Sequence, residues 1–447
     1  MRPIRSVVIL AAVAVLAAAC GSGGSSSGKP ARPTVDAQAV KAGPPVGWSD
    51  GGYKPDTSKM RCSKPAADPT RGITDTQITV GGLAYLTSPN GSTMAGAELG
   101  AKARFDRANA EGGINGRKIN YVGTLDDGQD PARSGQQAKV LVDQKHVFAA
   151  VPLMTSFANY LDTFCAETVP YFGWGFNAGY CNTSIGFGIT GCLLPDGTVA
   201  TTTYGLLIKS LFGGNSTGKT VALVGVDNDT ARGGNRDIAE QVRIVGIKVV
   251  YNENSVPIAG ITDTTAVVNK VMTSNGGQPP DLVLYVADFN SVVKLTGALK
   301  AAGFKGKNLN VIGYDPRLAA IGFPGLQDSY TLMQWEPGVD NAVPAVRQMA
   351  DDFKKYAPSA VLSLPAMAGY WSADMFVTAA TKAGRDLNVN SLLKMLNSNY
   401  SYSVPGAVAE TRWPLSHFAT TPCGSISQLV GKQYNIITKL SCGSLVK

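Results

Sequence analysis

The chain is 447 residues long, carries a formal charge of +8, and only 16% of its residues are charged. The basic residues are scattered without runs, which argues against a nucleic-acid partner and leaves mild attraction to anionic lipid or wall polymer as the most this charge implies. Two histidines, His146 and His417, and cysteine spacings unlike CxxC pairs make metal binding unexpected, and nothing calls for a cofactor.

The N-terminus reads as a processing signal. Arg2 and Arg5 supply a positive region, and residues 7–18 form an apolar run too short for comfortable bilayer crossing. Loss of those two arginines lowers the charge from +8 to +6. The run ends in Leu16-Ala17-Ala18-Ala19-Cys20, which resembles a bacterial lipobox. That resemblance implies a signal peptide over 1–19 and diacylation (a palmitate-type modification) of Cys20, which becomes the mature N-terminus. Leu16 stands four residues before the cysteine, with Ala17 at the usual third place, so an ordinary secretory cut nearby is the alternative. Acyl chains anchor firmly because each buried methylene contributes about 0.8 kcal/mol. No later segment is apolar enough to span a membrane, so the expected location is the outer face of the cytoplasmic membrane. Residues 20–71 are dominated by Gly, Ser, Pro, Lys and Asp without a periodic apolar face, and read as a flexible tether. Cys62 complicates that reading, since it would pin the tether's end to the body.

The body opens with a strand-like run at 78–83, then a polar loop. A helix follows over 96–110, with Ala97, Ala101, Phe105 and Ala108 at helical spacing. Gly112 and Gly113 end it, because glycine accepts the left-handed conformation a helix end commonly needs. After them come Gly-Gly-Ile-Asn-Gly-Arg-Lys at 112–118, a strand, Asp126-Asp127 and Asp130-Pro131-Ala132. This succession closely resembles the opening of the extracytoplasmic leucine/isoleucine/valine-type (branched-chain amino acid) solute-binding proteins of ABC importers.

Further on, strand-like runs at 147–151, 171–175, 221–226, 248–251, 282–286 and 311–314 alternate with helical ones at 134–144, 206–212, 234–245, 263–274 and 291–302. Such alternation argues for α/β architecture, parallel sheets covered by helices on both faces. The roughly 375 residues after the tether imply two lobes rather than one core. The resemblance, which covers about 72–402, implies the type I periplasmic binding protein fold: two Rossmann-like lobes, a cleft, and three inter-lobe crossings. These are expected near Asp196, Trp335 and Val404, giving lobe 1 as 72–196 plus 337–404 and lobe 2 as 197–336 plus 405–447.

Several motifs mimic catalytic ones. Gly213 to Thr220 satisfies the Walker A pattern, and Gly214-Asn215-Ser216-Thr217-Gly218 satisfies GxSxG. Both chemistries need strand, loop, helix, whereas here a helix precedes and a strand follows, so the segment reads as a plain turn. Gly186-Phe187-Gly188-Ile189-Thr190-Gly191 matches GxGxxG between two cysteines, and reads as a disulfide-closed loop. Asp126 and Asp127 read as structural, with Asp130 capping the next helix. No nucleophile, base and orienter constellation emerges, so an enzyme is not expected.

Without Cys20, six cysteines remain: Cys62, Cys165, Cys181, Cys192, Cys423 and Cys442. In an exported chain they suggest three disulfides out of fifteen possible pairings. Sequence proximity favours Cys181–Cys192 and Cys423–Cys442, leaving Cys62–Cys165.

Ligands of open α/β sheets bind beyond the carboxyl ends of strands. The first-lobe candidates are Ser92 and Thr93, Thr155 and Ser156, and Trp174, Gly175, Phe176 and Asn177. The resemblance implies that the Thr155–Ser156 loop holds a ligand carboxylate, which suits helix-start amides. The aromatic groups at 174 and 176 depart from the small residues of the family and argue against a simple aliphatic amino acid. Second-lobe candidates are Asp229 and Thr230, Asp288 and Phe289, and Tyr314 and Asp315. Asp315 aligns with the family acid that grips an ammonium, while Thr230 and Asp288 stand where amino-acid binders place aromatics. The expected function is a monomeric, lipid-anchored subunit that captures an amino acid or similar small polar solute by hinge closure and presents it to ABC permease subunits. The alternative is a ligand-sensing module of the same fold without a transporter.

Overall fold

A computed structural model describes residues 41–42, 47–195, 197 and 199–446. The signal peptide, Cys20 and the crossing expected at Asp196 lie outside the described residues. Among the described residues no helix is long and apolar enough to cross a membrane.

The first sheet is built from β1 (Gln77–Ala84), β2 (Lys118–Asp126), β3 (Ala149–Met154), β4 (Tyr171–Gly173) and β5 (Gly186–Gly188). They lie in the order β2-β1-β3-β4-β5, all parallel. The second sheet contains β6 (Thr220–Val226), β7 (Lys248–Val256), β8 (Leu282–Val286), β9 (Lys307–Asn310) and β10 (Tyr330–Met333). Their order is β7-β6-β8-β9-β10, again parallel, so the two sheets share one winding scheme. Two late strands, Cys423–Val430 and Gln433–Cys442, and the short strand Lys41–Ala42 extend the second sheet antiparallel beside β10.

Helices cover these sheets. The α1 helix (Ala97–Ala110) buries Ala97, Ala101, Phe105 and Ala108, the spacing read from sequence. It ends where expected, with Gly113 at φ +81° donating its N–H to Ala108 O. Next come α2 (Pro131–Lys139), α3 (Leu161–Glu167), α4 (Thr203–Ser210), α5 (Asp229–Ile244), α6 (Thr265–Met272), α7 (Phe289–Ala301) and α8 (Pro316–Ala320). After β10 the chain returns to the first sheet as α9 (Pro344–Tyr356) and α10 (Leu364–Lys382), which both pack on α1. There the backbones touch: a Cβ on Gly100 would collide with Ala366 O, and one on Gly369 with Ala97 O. Then α11 (Val389–Leu396) and the hairpin Tyr400–Val404/Val408–Trp413 lead to the late strands of the second sheet. From residue 77 onward, sheet membership therefore changes three times.

The structure departs from the sequence reading in three places. Residues 47–71, read as the end of a flexible tether, lie against the body. Trp48 is 4% exposed, its Nε1–H donates to Glu410 O at 2.9 Å, and the Arg412 guanidinium sits 4.0 Å from its ring centre. At the other end of this arm, buried Arg71 donates to Val147 O and Glu167 O. The polar composition concealed two buried anchors, one aromatic and one charged, beside the expected disulfide Cys62–Cys165. All three disulfides pair as proximity suggested, the others being Cys181–Cys192 and Cys423–Cys442.

Second, the expected loop at 186–191 contains an edge strand. Phe187 pairs with Phe172 in register and stacks on it with ring centres 5.3 Å apart. Third, the strand expected at 311–314 lies four residues earlier, at Lys307–Asn310. Its alternating asparagines hid it. Both are buried and satisfied, Asn308 accepting from Tyr285 Oη–H at 2.7 Å and Asn310 donating to Tyr330 O at 3.0 Å.

Candidate functional site

Both sheets point the carboxyl ends of their strands at one cavity of about 190 Å³. The first sheet contributes Tyr85 after β1, Gln129 after β2, Ser156 after β3, and Trp174 and Phe176 after β4. From the second come Asn228 after β6, Ala287 and Asp288 after β8, Val311 and Ile312 after β9, and Gln334 after β10. In both windings the chain reverses beside the first strand, the switch point at which doubly wound sheets open a crevice.

Hydrogen bonds bridge the crevice. Thr230 Oγ1–H donates to Ser156 O at 3.1 Å, and Phe289 N–H donates to Ser92 Oγ at 3.1 Å. At the mouth, Asn90 Nδ2–H donates to Ile258 O at 3.0 Å and Asn290 Nδ2–H donates to Asn90 O at 2.7 Å. Each joins a loop of the first sheet to a helix start or a loop of the second.

Of the residues expected from sequence, Ser92, Ser156, Trp174, Phe176, Thr230 and Asp288 line this cavity. The others do not, and each has another partner. Thr93 lies in the loop before α1 and holds Ala95 N–H. Thr155 donates to Phe157 O at 2.6 Å. Gly175 packs its backbone against Gly191, so that any Cβ there would collide with Gly191 O. Asn177 is buried, accepting from Tyr160 Oη–H and donating to Thr155 O. Asp229 is fully exposed and pairs with Arg232 at 2.9 Å. Phe289 packs toward Phe323, and Tyr314 packs at a tilt against Tyr434 with ring centres 4.6 Å apart. Asp315 caps α8 by accepting from Arg317 N–H at 2.8 Å, and it also holds the Arg317 guanidinium. The shifted β9 explains the last two: Val311 and Ile312 occupy the strand end that 314 and 315 were expected to hold.

Sequence reasoning missed Tyr85, Gln129, Tyr204, Gln334 and Asp237. Asp237 had a readable signal. Thr230, Ala231, Gly234, Asp237 and Ile238 all line the cavity and fall on one face of α5 at helical spacing, so a carboxylate there interrupts a buried stripe. Its own oxygen accepts from Gln241 Nε2–H at 2.8 Å, and burial pushes the acid up to about 6. Nearby, Tyr204 Oη accepts from Gln334 Nε2–H. Asp288 caps α7, one oxygen accepting Ser291 N–H at 2.9 Å, while its second oxygen is buried without a partner. Trp174 meets Phe176 and Trp335 edge-on at 5.1 and 5.2 Å, and its Nε1–H is likewise unpartnered.

The decoys resolve into structure. The Walker-like segment is the turn between α4 and β6. Asp130 caps α2 through Arg133 N–H. For Asp126, burial opposes ionisation, but hydrogen bonds from Thr87, Gly128 and Leu86 outweigh it and hold the acid low. Asp127 has fewer, and burial pushes it up to about 6.

This geometry has counterparts. The chain matches the periplasmic binding protein family over residues 77–430, and it belongs to that family. Its members bind small molecules. Among solved structures, a branched-chain amino acid ABC transporter protein from Thermus thermophilus with bound valine superposes with a TM-score of 0.67 at 16% identity, covering 82% of this chain and 97% of that one. A possible leucine/isoleucine/valine-binding protein from Rhodopirellula baltica gives 0.66 at 16% identity, covering 83% and 98%. A fatty acid ABC transporter substrate-binding protein from Thermomonospora curvata gives 0.63 at 19% identity, covering 83% and 93%. At such identities the likeness speaks for the type I fold alone. No curated protein sequence matches the chain.

Proposed function

We propose that this protein is the extracytoplasmic solute-binding subunit of an ABC importer, anchored through a lipid on Cys20. A small solute, an amino acid or another compound of similar size, settles in the cleft; the two lobes close over it, and the closed form is presented to the permease. The observation that carries this reading is the cavity itself, lined from both sheets and bridged by Thr230–Ser156 and Phe289–Ser92. The three changes of sheet membership support lobes near the expected bounds, 72–196 plus 337–404 and 197–336 plus 405–447. Structural counterparts described as binding valine and as serving fatty acid transport make solute capture the common denominator, with ligand chemistry varying between them.

Micromolar affinity needs only about 8 kcal/mol net, within reach of buried aromatic contacts and a few charge-assisted hydrogen bonds. A thermal-shift screen of the full chain tests the reading, since saturating ligand raises the melting temperature by mass action. The panel covers amino acids, amides, amines, aromatic acids, fatty acids and sugars. At least one class is expected to raise the melting point by several degrees; a flat response throughout overturns solute capture. Separately, Cys20→Ser is expected to move the chain from the membrane fraction to the soluble one.

A further inference from the structure

The charge and shape of the cavity carry the ligand question further, on the assumption that the cleft does capture a solute. Among the described residues, none of the side chains lining it is a lysine, arginine or histidine. Two are carboxylates, Asp237 and Asp288, on α5 and at the start of α7. Four are aromatic, Tyr85, Trp174, Phe176 and Tyr204, and the remainder divide between apolar side chains and neutral polar ones.

A free carboxylate entering this space would lose its hydration beside two acids, with no cation to replace water. The two helix starts beside the cavity each carry a capping side chain. Asn228 caps α5 through Ala231 N–H and Asp288 caps α7 through Ser291 N–H, and the latter is itself an acid. A cation meets the opposite situation. Asp288 is 7% exposed and holds one oxygen without a hydrogen-bond partner, a donor-seeking group that a ligand N–H would satisfy. Aromatic faces within a desolvated site attract positive charge as well.

We propose that the cavity selects an organic cation, a protonated amine on a largely apolar body without a carboxylate, with Asp288 and Asp237 receiving its N–H groups and Trp174, Phe176 and Tyr85 enclosing the body. This differs from the amino-acid expectation in one chemical group, and that group is the test.

Isothermal titration calorimetry on the full chain at pH 7.5 compares two matched trios: phenethylamine, phenylalanine and 3-phenylpropanoate, then isopentylamine, leucine and 4-methylpentanoate. In each trio the amine is expected to bind at least tenfold more tightly than the amino acid, and the acid not to bind. Asp288→Asn is expected to weaken the amine more than tenfold while changing the neutral analogue 2-phenylethanol less than threefold, and Asp237→Asn serves equally should the cap at 288 prove needed for folding. Equal or tighter binding of an amino acid or carboxylate overturns the cation class and leaves solute capture standing. So does binding of none of the six while another solute raises the melting temperature. Silence from every solute overturns both.

Discussion

The two walls of the cleft share one winding order and differ in what they bring to it. The first-sheet wall presents neutral groups: Ser92, Gln129 and Ser156 with the rings of Tyr85, Trp174 and Phe176. The second-sheet wall mixes aliphatic side chains with Tyr204, Asn228, Thr230 and Gln334, and it alone adds carboxylates, Asp237 and Asp288. One topology thus supplies a shape-reading face and a charge-reading face. The difference arises because the first wall uses loops after strands, whereas the second adds a helical stripe along α5.

That contrast is sharpest at two glycines. Gly100 lets α1 touch α10 on the first-sheet side, and Gly205 lets α4 touch α5, where a Cβ would collide with Gln241 O. Gly100→Val and Gly205→Val are each expected to lower unfolding stability by about 3 kcal/mol through overpacking, measured by denaturant titration. Only Gly205→Val is expected to weaken ligand binding too, because α4 and α5 carry Tyr204 and Asp237. Equal loss of affinity in both variants would erase the distinction between a scaffold helix pair and a site helix pair.

A second effect sits where the chain leaves the second sheet. Glu336 is buried beside Asp340, its Oε2 accepting Leu440 N–H. Burial first, then the neighbouring acid, pushes its carboxyl from 4.5 up to about 8. An acid raised on folding binds its proton more tightly in the native state. Its stabilising contribution is therefore complete below about pH 4.5 and is lost as pH rises through about 8. Thermal melts across that window should show falling stability, with a shallower slope in Glu336→Gln. An unchanged slope would mean that Asp340, or its partner Lys439, governs the region instead.

Weaker still is the latch. Thr230→Val keeps the shape and removes the hydroxyl that donates to Ser156 O. A hydrogen bond of this kind contributes about 1 kcal/mol, so affinity should fall roughly fivefold without a change in melting temperature of the unliganded chain. Small-angle scattering should show the variant more open.

Legibility followed the same divide. Gly112-Gly113, the Asp126–Asp130 turn and the apolar stripe of α1 are local patterns, and the first sheet was readable from them. Ser92, Ser156, Trp174 and Phe176 were expected near the cleft and do line the cavity, because a strand end fixes the next few positions. The second sheet was harder. In β9, Asn308 bonds to Tyr285 of one neighbouring strand and Asn310 to Tyr330 of the other, so a largely buried strand carries a polar sequence. Asp237 was invisible to a search of strand ends because it reaches the cavity from the third turn of a helix. The arm at 47–71 failed for a third reason: composition describes an average, and Trp48 and Arg71 are exceptions within it.

Asp315 provides the finest discrimination between the walls, since it was expected to carry charge recognition and the geometry gives it a scaffold role. It accepts Arg317 N–H as the cap of α8 and binds the Arg317 guanidinium at the surface. Losing an N-cap acid costs about 1 kcal/mol. The exposed ion pair adds little, because solvent screens it and both side chains lose freedom to form it. Asp315→Ala is therefore expected to lower unfolding stability by about 1 kcal/mol and to leave affinity for any amine within about twofold. Asp288→Asn is expected to do the reverse, a large loss of affinity with a modest loss of stability, because asparagine retains the capping oxygen. If Asp315→Ala instead abolishes binding, the ligand's charge is read beyond β9, and the cavity beside Asp288 is not where recognition happens.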